Sequence, residues 1–280
     1  MTSRQFLNEY RVSIAWRRGV APSQVSPHTL RAMRGDLRAF ETWMEQAPER
    51  CAGDARAWLM EESARLAPAT VSRRLASLRT YANWRAENGD KEILDALRGC
   101  SVRSRTERVY CPDPTTMDSV AAAARRARND LNGIAVMLIR KTGARVGEIC
   151  GLRSADIARQ PNGDSALSLM GKGGRERTVV VRGLSAADLD CLARCDDNII
   201  FGRGAYTRLW RLIRAAAGGL GLNKFTPHSF RHGVATELLS AGVPIQVVSR
   251  WLGHAKIETT LRTYVHTFPG DMSTCAGVLS

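Results

Sequence analysis

Apolar and polar positions divide the chain into two textures. In the first hundred residues the apolar positions recur at steps of three and four: Leu30, Met33, Leu37, Phe40 and Met44 in one run, then Val71, Leu75, Leu78, Tyr81, Ala82 and Trp84 in another that begins at Pro68. That is the period of a helix with one buried face. Ser26 followed by Pro27 reads as an N-cap with proline at the first helical position. Arg73, Arg74, Arg79 and Arg85 fall among the polar positions of the second run. Between the runs, residues 55–66 form a shorter helix with Trp58 and Leu59 inward, and residues 4–17 form an earlier one with Phe6, Tyr10, Ile14 and Trp16 on its core side. Four such helices are expected to pack as a small bundle.

From Arg98 to Pro114 the period lapses into Arg, Ser, Thr, Cys, Pro and Asp, the composition of a linker. The expected division is a helical domain over 1–102, a linker over 103–113 and a second domain over 114–280. Helical period resumes at Asp113-Pro114, runs to Arg128, restarts at Asp130 and ends at Lys141-Thr142-Gly143, where glycine is a plausible stop. After the segment 145–152 the texture changes. Leu167 to Met170 and Thr178 to Val181 flank the glycine-rich turn Gly171-Lys172-Gly173-Gly174-Arg175, which predicts a hairpin of two short strands. Helices return from Ser185, interrupted at Ile199-Ile200-Phe201. The expected fold is therefore mainly α with a small antiparallel β-sheet: a four-helix bundle followed by a mixed α/β domain.

At 280 residues and 44% hydrophobic content, the chain is long enough to bury sizeable cores in two domains. Its longest apolar run, Ile134 to Ile139, stops at Arg140, far short of the roughly 20 residues a spanning helix needs. Neither a membrane segment nor a secretory signal is evident. Seven cysteines, an odd number with no Cys-x-x-Cys pair, are expected to be reduced thiols; Cys191 and Cys195, one helical turn apart, read the same way. A cytoplasmic setting fits. Lys and Arg outnumber Asp and Glu by 41 to 27, a net charge of +14, with +6 over residues 1–110 and +8 over 111–280. An excess spread over both halves points to a polyanionic partner, nucleic acid first.

Candidate chemistry gathers in the last third. His228-Ser229-Phe230-Arg231-His232 is followed by Leu252-Gly253-His254 and then by Tyr264, and Arg145 lies upstream in Thr142-Gly143-Ala144-Arg145-Val146-Gly147-Glu148. Four of the five histidines fall in the last 53 residues. Arginine forks suit the oxygens of a phosphodiester, whose charge spreads over equatorial positions in the transition state. Histidine shuttles protons near neutral pH or donates from a neutral ring. A tyrosine beside cations and a base is a candidate nucleophile, and no metal or other cofactor is expected. Tyr10, Tyr81 and Tyr206 read as packing or surface residues, Tyr110 lies in the linker, and His232 and His266 read as packing or supporting residues. Lys172 at the hairpin tip has the reach to meet a DNA groove or a leaving oxygen.

These positions resemble the tyrosine recombinases, the phage-integrase and Xer-type family. The matching residues are Arg145 in T-G-A-R-V-G-E, Lys172 in G-K-G-G-R-E-R-T-V, His228 and Arg231 in H-S-F-R-H, His254 in L-G-H and Tyr264 in T-T-L-R-T-Y-V-H. More loosely, S-P-H-T-L-R-A-M-R-G-D-L-R-A-F and A-T-V-S-R-R-L-A-S-L-R-T-Y look like helices of the family's SAM-like core-binding domain, so the likeness spans the chain from about residue 20 to just past Tyr264. Tyr264 follows His254 by ten residues, one more than is usual in the family, and the separate arm-site-binding module of larger phage integrases is not expected.

The resemblance implies a C-shaped clamp on double-stranded DNA at a specific core site, cleavage through a 3′-phosphotyrosine at Tyr264 without metal or ATP, and a tetramer on two sites exchanging strands through a Holliday junction. It further implies that Arg145 and Arg231 hold the scissile phosphate, that His254 donates to it, that Lys172 protonates the leaving oxygen and that His228 assists proton transfer at the nucleophile. Arg73, Arg74 and Arg79 are candidate DNA contacts of the helical domain. Two other functions share part of this inventory: a type IB topoisomerase-like relaxing enzyme, and a non-catalytic DNA-binding protein on the same fold.

Overall fold

A computed structural model describes residues 3–18, 27–102, 110–128, 130–171, 174–193, 199–254 and 257–264. Lys172, Cys195, His266, most of the expected linker and the Ser26 cap lie outside these residues, as do the side chains of Ile14 and Trp16. The chain divides into two compact units, residues 1–107 and 108–280.

The first unit consists of α1 (Ser3–Arg18), α2 (Pro27–Glu45), α3 (Ala55–Arg65), α4 (Pro68–Glu87) and the short α5 (Glu92–Ala96). The periodic residues converge: Phe6, Leu37, Phe40, Trp58, Leu75, Leu78 and Tyr81 are buried in one cluster, with Ile93 of α5 added to the four expected helices. Phe40 packs tilted on Trp58 at 5.1 Å between ring centroids, and each buried side chain of this size contributes about 1.5–3 kcal/mol.

The second unit is built on α6 (Pro114–Ala127) and α7 (Leu131–Thr142), packed against α10 (Ala205–Gly219) and α11 (Pro227–Ser240). Local sequence sets the ends of these helices. Asp113 accepts from Thr116 N at 2.8 Å ahead of Pro114, and Asp130 accepts from Asn132 N at 2.9 Å. α7 stops at Gly143, whose φ of +64° no β-carbon-bearing residue adopts comfortably; a Cβ there would also meet Val234 and Leu252 at 3.1 Å. The short α8 (Val146–Cys150) follows, then β1 (Ile157–Arg159), β2 (Ser165–Met170) and β3 (Glu176–Val181).

The sheet is antiparallel in the order β1-β2-β3, with Leu167 opposite both Ile157 and Val179. The expected hairpin is β2 and β3; β1 is a third strand that the sequence pattern does not show, because three residues with only Ile157 turned inward carry no readable alternation. Leu167, Leu169, Val179 and Val181 seal the sheet against the helical core. α9 (Ala186–Ala193), α12 (Ile245–Leu252) and α13 (Ile257–Tyr264) complete the unit. Tyr110 contacts Phe225 edge-on at 6.3 Å, and Cys111 packs on the small cluster of Ala235, Val248, Leu252 and Tyr264.

Candidate active site

Five chain segments meet at one place in the second unit. Arg145 caps α8 from an extended backbone, its N–H donating to Glu148 Oε2 at 2.9 Å and its Nη1 to Glu148 Oε1 at 2.7 Å. Glu148, 4% exposed, also receives Nη2 of Arg177 from β3 at 2.8 Å. Burial pushes the Glu148 carboxyl upward, but the hydrogen bonds and charge of Arg177 and Arg145 prevail and hold it below the ordinary carboxylate range. Glu148 thus fixes the arginine of α8 while that side chain keeps an open face, 34% exposed.

Arg231 comes from the first turns of α11 and is nearly sequestered at 4% exposure. Its Nη1 donates to Gly143 O at 3.0 Å and its Nη2 to Leu252 O at 2.5 Å, so one guanidinium ties the end of α7 to the end of α12. Burial, with the neighbouring charge of Arg145, lowers its pKa to about 10, which still leaves it cationic at neutral pH. Trp251 Nε1 donates to Thr142 O at 2.9 Å and Arg177 Nε donates to Trp251 O at 2.7 Å, binding the same junction from two more sides.

That junction aims His254. Gly253 closes α12 with φ +67°, and a Cβ there would lie 2.8 Å from Arg177 Nη1, so only glycine allows the turn and the arginine together. His254 Nδ1 is hydrogen-bonded to the buried hydroxyl of Thr260 at 2.7 Å. Burial first, then the fields of Arg231 and Arg145, hold its pKa down at about 4, so it is a neutral ring at pH 7. His228 stands at the exposed rim on the first turn of α11; partial desolvation and the charges of Arg231 and Arg145 lower its pKa as well.

Tyr264 ends α13 and is 1% exposed, packed against Ala235, Val248 and Leu252. Its burial raises the phenol above the ordinary tyrosine value, with Arg231 opposing and Cys111 adding to the rise. Its hydroxyl is hydrogen-bonded to Nδ1 of His232 at 2.8 Å, one turn along α11 from His228. Glu148 and Arg177 are site neighbours that motif reading passed over, and His232, read there as a packing or supporting residue, touches the tyrosine hydroxyl. The signal for His232 was its four-residue spacing from His228, which places both on one helical face; for Glu148 it was the three-residue step from Arg145 at a helix start. Nothing in the sequence marked Arg177.

The structure therefore brings together Arg145, His228, Arg231, His254 and Tyr264, while Lys172 lies outside the described residues; Gly171 N donates to Arg175 O at 2.7 Å across the base of its turn. The three arginines of α4 belong to the first unit. Arg73 is half-exposed and paired with Asp36, and Arg79 donates to Cys100 O. Arg74 is turned inward over Trp58, where it meets the buried carboxylates of Glu62 and Asp36, so its guanidinium is engaged within the bundle. Among the described residues no three His, Cys, Asp or Glu side chains are placed to hold a metal ion, and no helix is long and apolar enough to cross a membrane.

Two arginines and three histidines gather around a buried tyrosine on a mainly helical scaffold with one small sheet, an arrangement that suits phosphodiester chemistry. Comparison with known families agrees: the phage integrase family matches residues 115–270, and the family's N-terminal SAM-like domain matches residues 21–89. The chain belongs to the phage integrase family and is a tyrosine-type site-specific recombinase. Among curated relatives, tyrosine recombinase XerC of Corynebacterium glutamicum is 30% identical over 259 residues, covering 86% of this chain and 82% of the relative. Among solved structures, the XerH site-specific recombinase bound to difH substrate shares the fold with a TM-score of 0.70 at 16% identity, covering 100% of this chain and 85% of that one. A lambda integrase tetramer bound to a Holliday junction gives 0.63 at 17% identity, covering 91% and 78%.

Proposed function

We propose that this recombinase cuts and rejoins double-stranded DNA at a specific core site through a 3′-phosphotyrosine on Tyr264, with four protomers exchanging strands by way of a Holliday junction. The observation that carries this reading is the meeting of a tyrosine hydroxyl with two arginines and three histidines on one frame. In it Arg145 and Arg231 hold the scissile phosphate, because the charge that grows on its oxygens needs fixed cations that stay charged at neutral pH. With Thr260 as the donor to Nδ1, the His254 proton sits on Nε2, from where a neutral ring donates to the same phosphate. His228, at the rim, assists at the nucleophile's side of the phosphate. Lys172 protonates the departing 5′ oxygen. Arg73 and Arg79 contact DNA from the first unit, while Arg74 holds the bundle together. The tetramer follows the assembly named for the lambda integrase relative.

Covalent trapping tests the reading. The protein selects sequences from a random duplex pool, and nicked duplexes built on them are incubated with wild type and Tyr264→Phe without added metal. A denaturing gel should show a wild-type adduct on the 3′ phosphate and none for the variant. An adduct that survives in Tyr264→Phe removes the nucleophile from this account. Recombinant joints, rather than supercoil relaxation alone, distinguish strand exchange from a topoisomerase.

A further inference from the structure

We propose that His232, rather than His228, takes the proton from Tyr264 as the tyrosine attacks, which makes His232 a catalytic residue of this enzyme; the proposal rests on the recombinase reading above. The argument starts from the phenol. A buried tyrosine whose ionisation is disfavoured is a poor nucleophile unless a base touches its hydroxyl. His232 Nδ1 lies 2.8 Å from that hydroxyl, the distance of a direct proton transfer, whereas His228 is one ring further back, 6.5 Å from His232 between centroids.

Charge around the pair supports the direction of transfer. The groups facing His232 are His228 and Arg231 from its own helix, Tyr264 from α13 and His254 beyond α12, with Cys111 beside the phenol. Burial, His228 and Arg231 hold His232 at a pKa of about 4, so at pH 7 it is neutral, and the tautomer protonated on Nε2 has Nδ1 accept from the phenol. A DNA phosphate seated between Arg145 and Arg231 offsets the cationic field that keeps His232 weakly basic. Substrate binding thus strengthens the base at the moment it is needed.

The step balances. As the Tyr264 oxygen bonds to phosphorus, its proton passes to His232 Nδ1, and the bond from phosphorus to the 5′ oxygen breaks with a proton supplied by a separate acid. On rejoining, the 5′-hydroxyl attacks, gives its proton back to that acid's conjugate base, and the Nδ1 proton returns to the tyrosine.

The test measures adduct formation on the nicked duplexes for wild type, His232→Ala and His232→Asn; asparagine still hydrogen-bonds the phenol but takes no proton. Both variants should be slower by about 100- to 1,000-fold at pH 7, with duplex affinity unchanged. Their rates should climb about tenfold per pH unit toward the phenol's own ionisation, while the wild-type rate does not. A duplex with sulfur in place of the bridging 5′ oxygen, whose leaving group needs no proton, should leave both variants slow. Rescue by sulfur would place His232 on the leaving-group side and overturn the proposal. So would variants as fast as wild type, or faster, which is what a latch restraining Tyr264 would give. His232→Asn carries the test should the alanine variant lose its unfolding midpoint. Absence of any Tyr264-dependent wild-type adduct is a different result, which overturns the recombinase reading and this proposal with it.

Discussion

Two neutral histidines set the site's response to acid. His232 and His254 each have a folded-state pKa near 4, depressed by burial and by neighbouring cations, against about 6.5 for an unfolded histidine. Between those values the unfolded chain binds more protons than the folded one, so stability rises with pH across that window and is complete above it. As pH falls from about 6.5 to 4, each ring taken alone removes on the order of 2–3 kcal/mol. Urea unfolding from pH 7 to 4 should therefore show a steep loss, and His254→Gln, which still hydrogen-bonds Thr260, should flatten it by roughly half. An unchanged slope would mean that the ring is already charged in the folded state. At this scale the sequence named Arg145, His228, Arg231, His254 and Tyr264 through motif order alone, but it had no means of showing which histidine touches the phenol. His232 and Tyr264 lie 32 residues apart and meet because α11 and α13 both pack on α12.

Elements, rather than single side chains, hold the site in register. Arg177 of β3 pairs with Glu148 of α8 and binds the last turn of α12, so the hairpin, the Arg145 cap and the His254 turn share one guanidinium at 10% exposure. Arg177→Met fills the space but leaves Glu148 with Arg145 as its partner in this pair of ion bridges and leaves the Trp251 carbonyl without its donor. A loss on the order of 3 kcal/mol in unfolding free energy is expected, with slower adduct formation, because His254 and Arg145 lose a common support. A variant as stable as wild type would show the bridge to be dispensable. Helices were legible here because a 3.6-residue period is written in apolar residues, as in Leu37, Phe40 and Met44. The Arg177 strut was not, since an arginine in a half-exposed strand reads the same whether it faces water or a buried glutamate.

The basic excess belongs to the whole chain, +6 before residue 111 and +8 after it, and each of the two units has its own core. The two-part division was legible from the lapse of period after Arg98. How the charge is used was not, because composition counts Arg74 as it counts surface arginines, although Arg74 is committed to Glu62 and Asp36. The arginines that remain at the surface should make DNA affinity fall steeply with salt: neutralising about 6–10 phosphates costs about 10³–10⁵ in affinity between 50 and 200 mM salt. If both units touch DNA, residues 108–280 expressed alone should unfold cooperatively, since their core is self-contained, and should bind a selected duplex with a shallower dependence of log affinity on log salt than the full chain. An equal slope would confine the phosphate contacts to the second unit. It would also withdraw Arg73 and Arg79 as DNA contacts, because a contact that releases no counterion is not at the phosphate backbone.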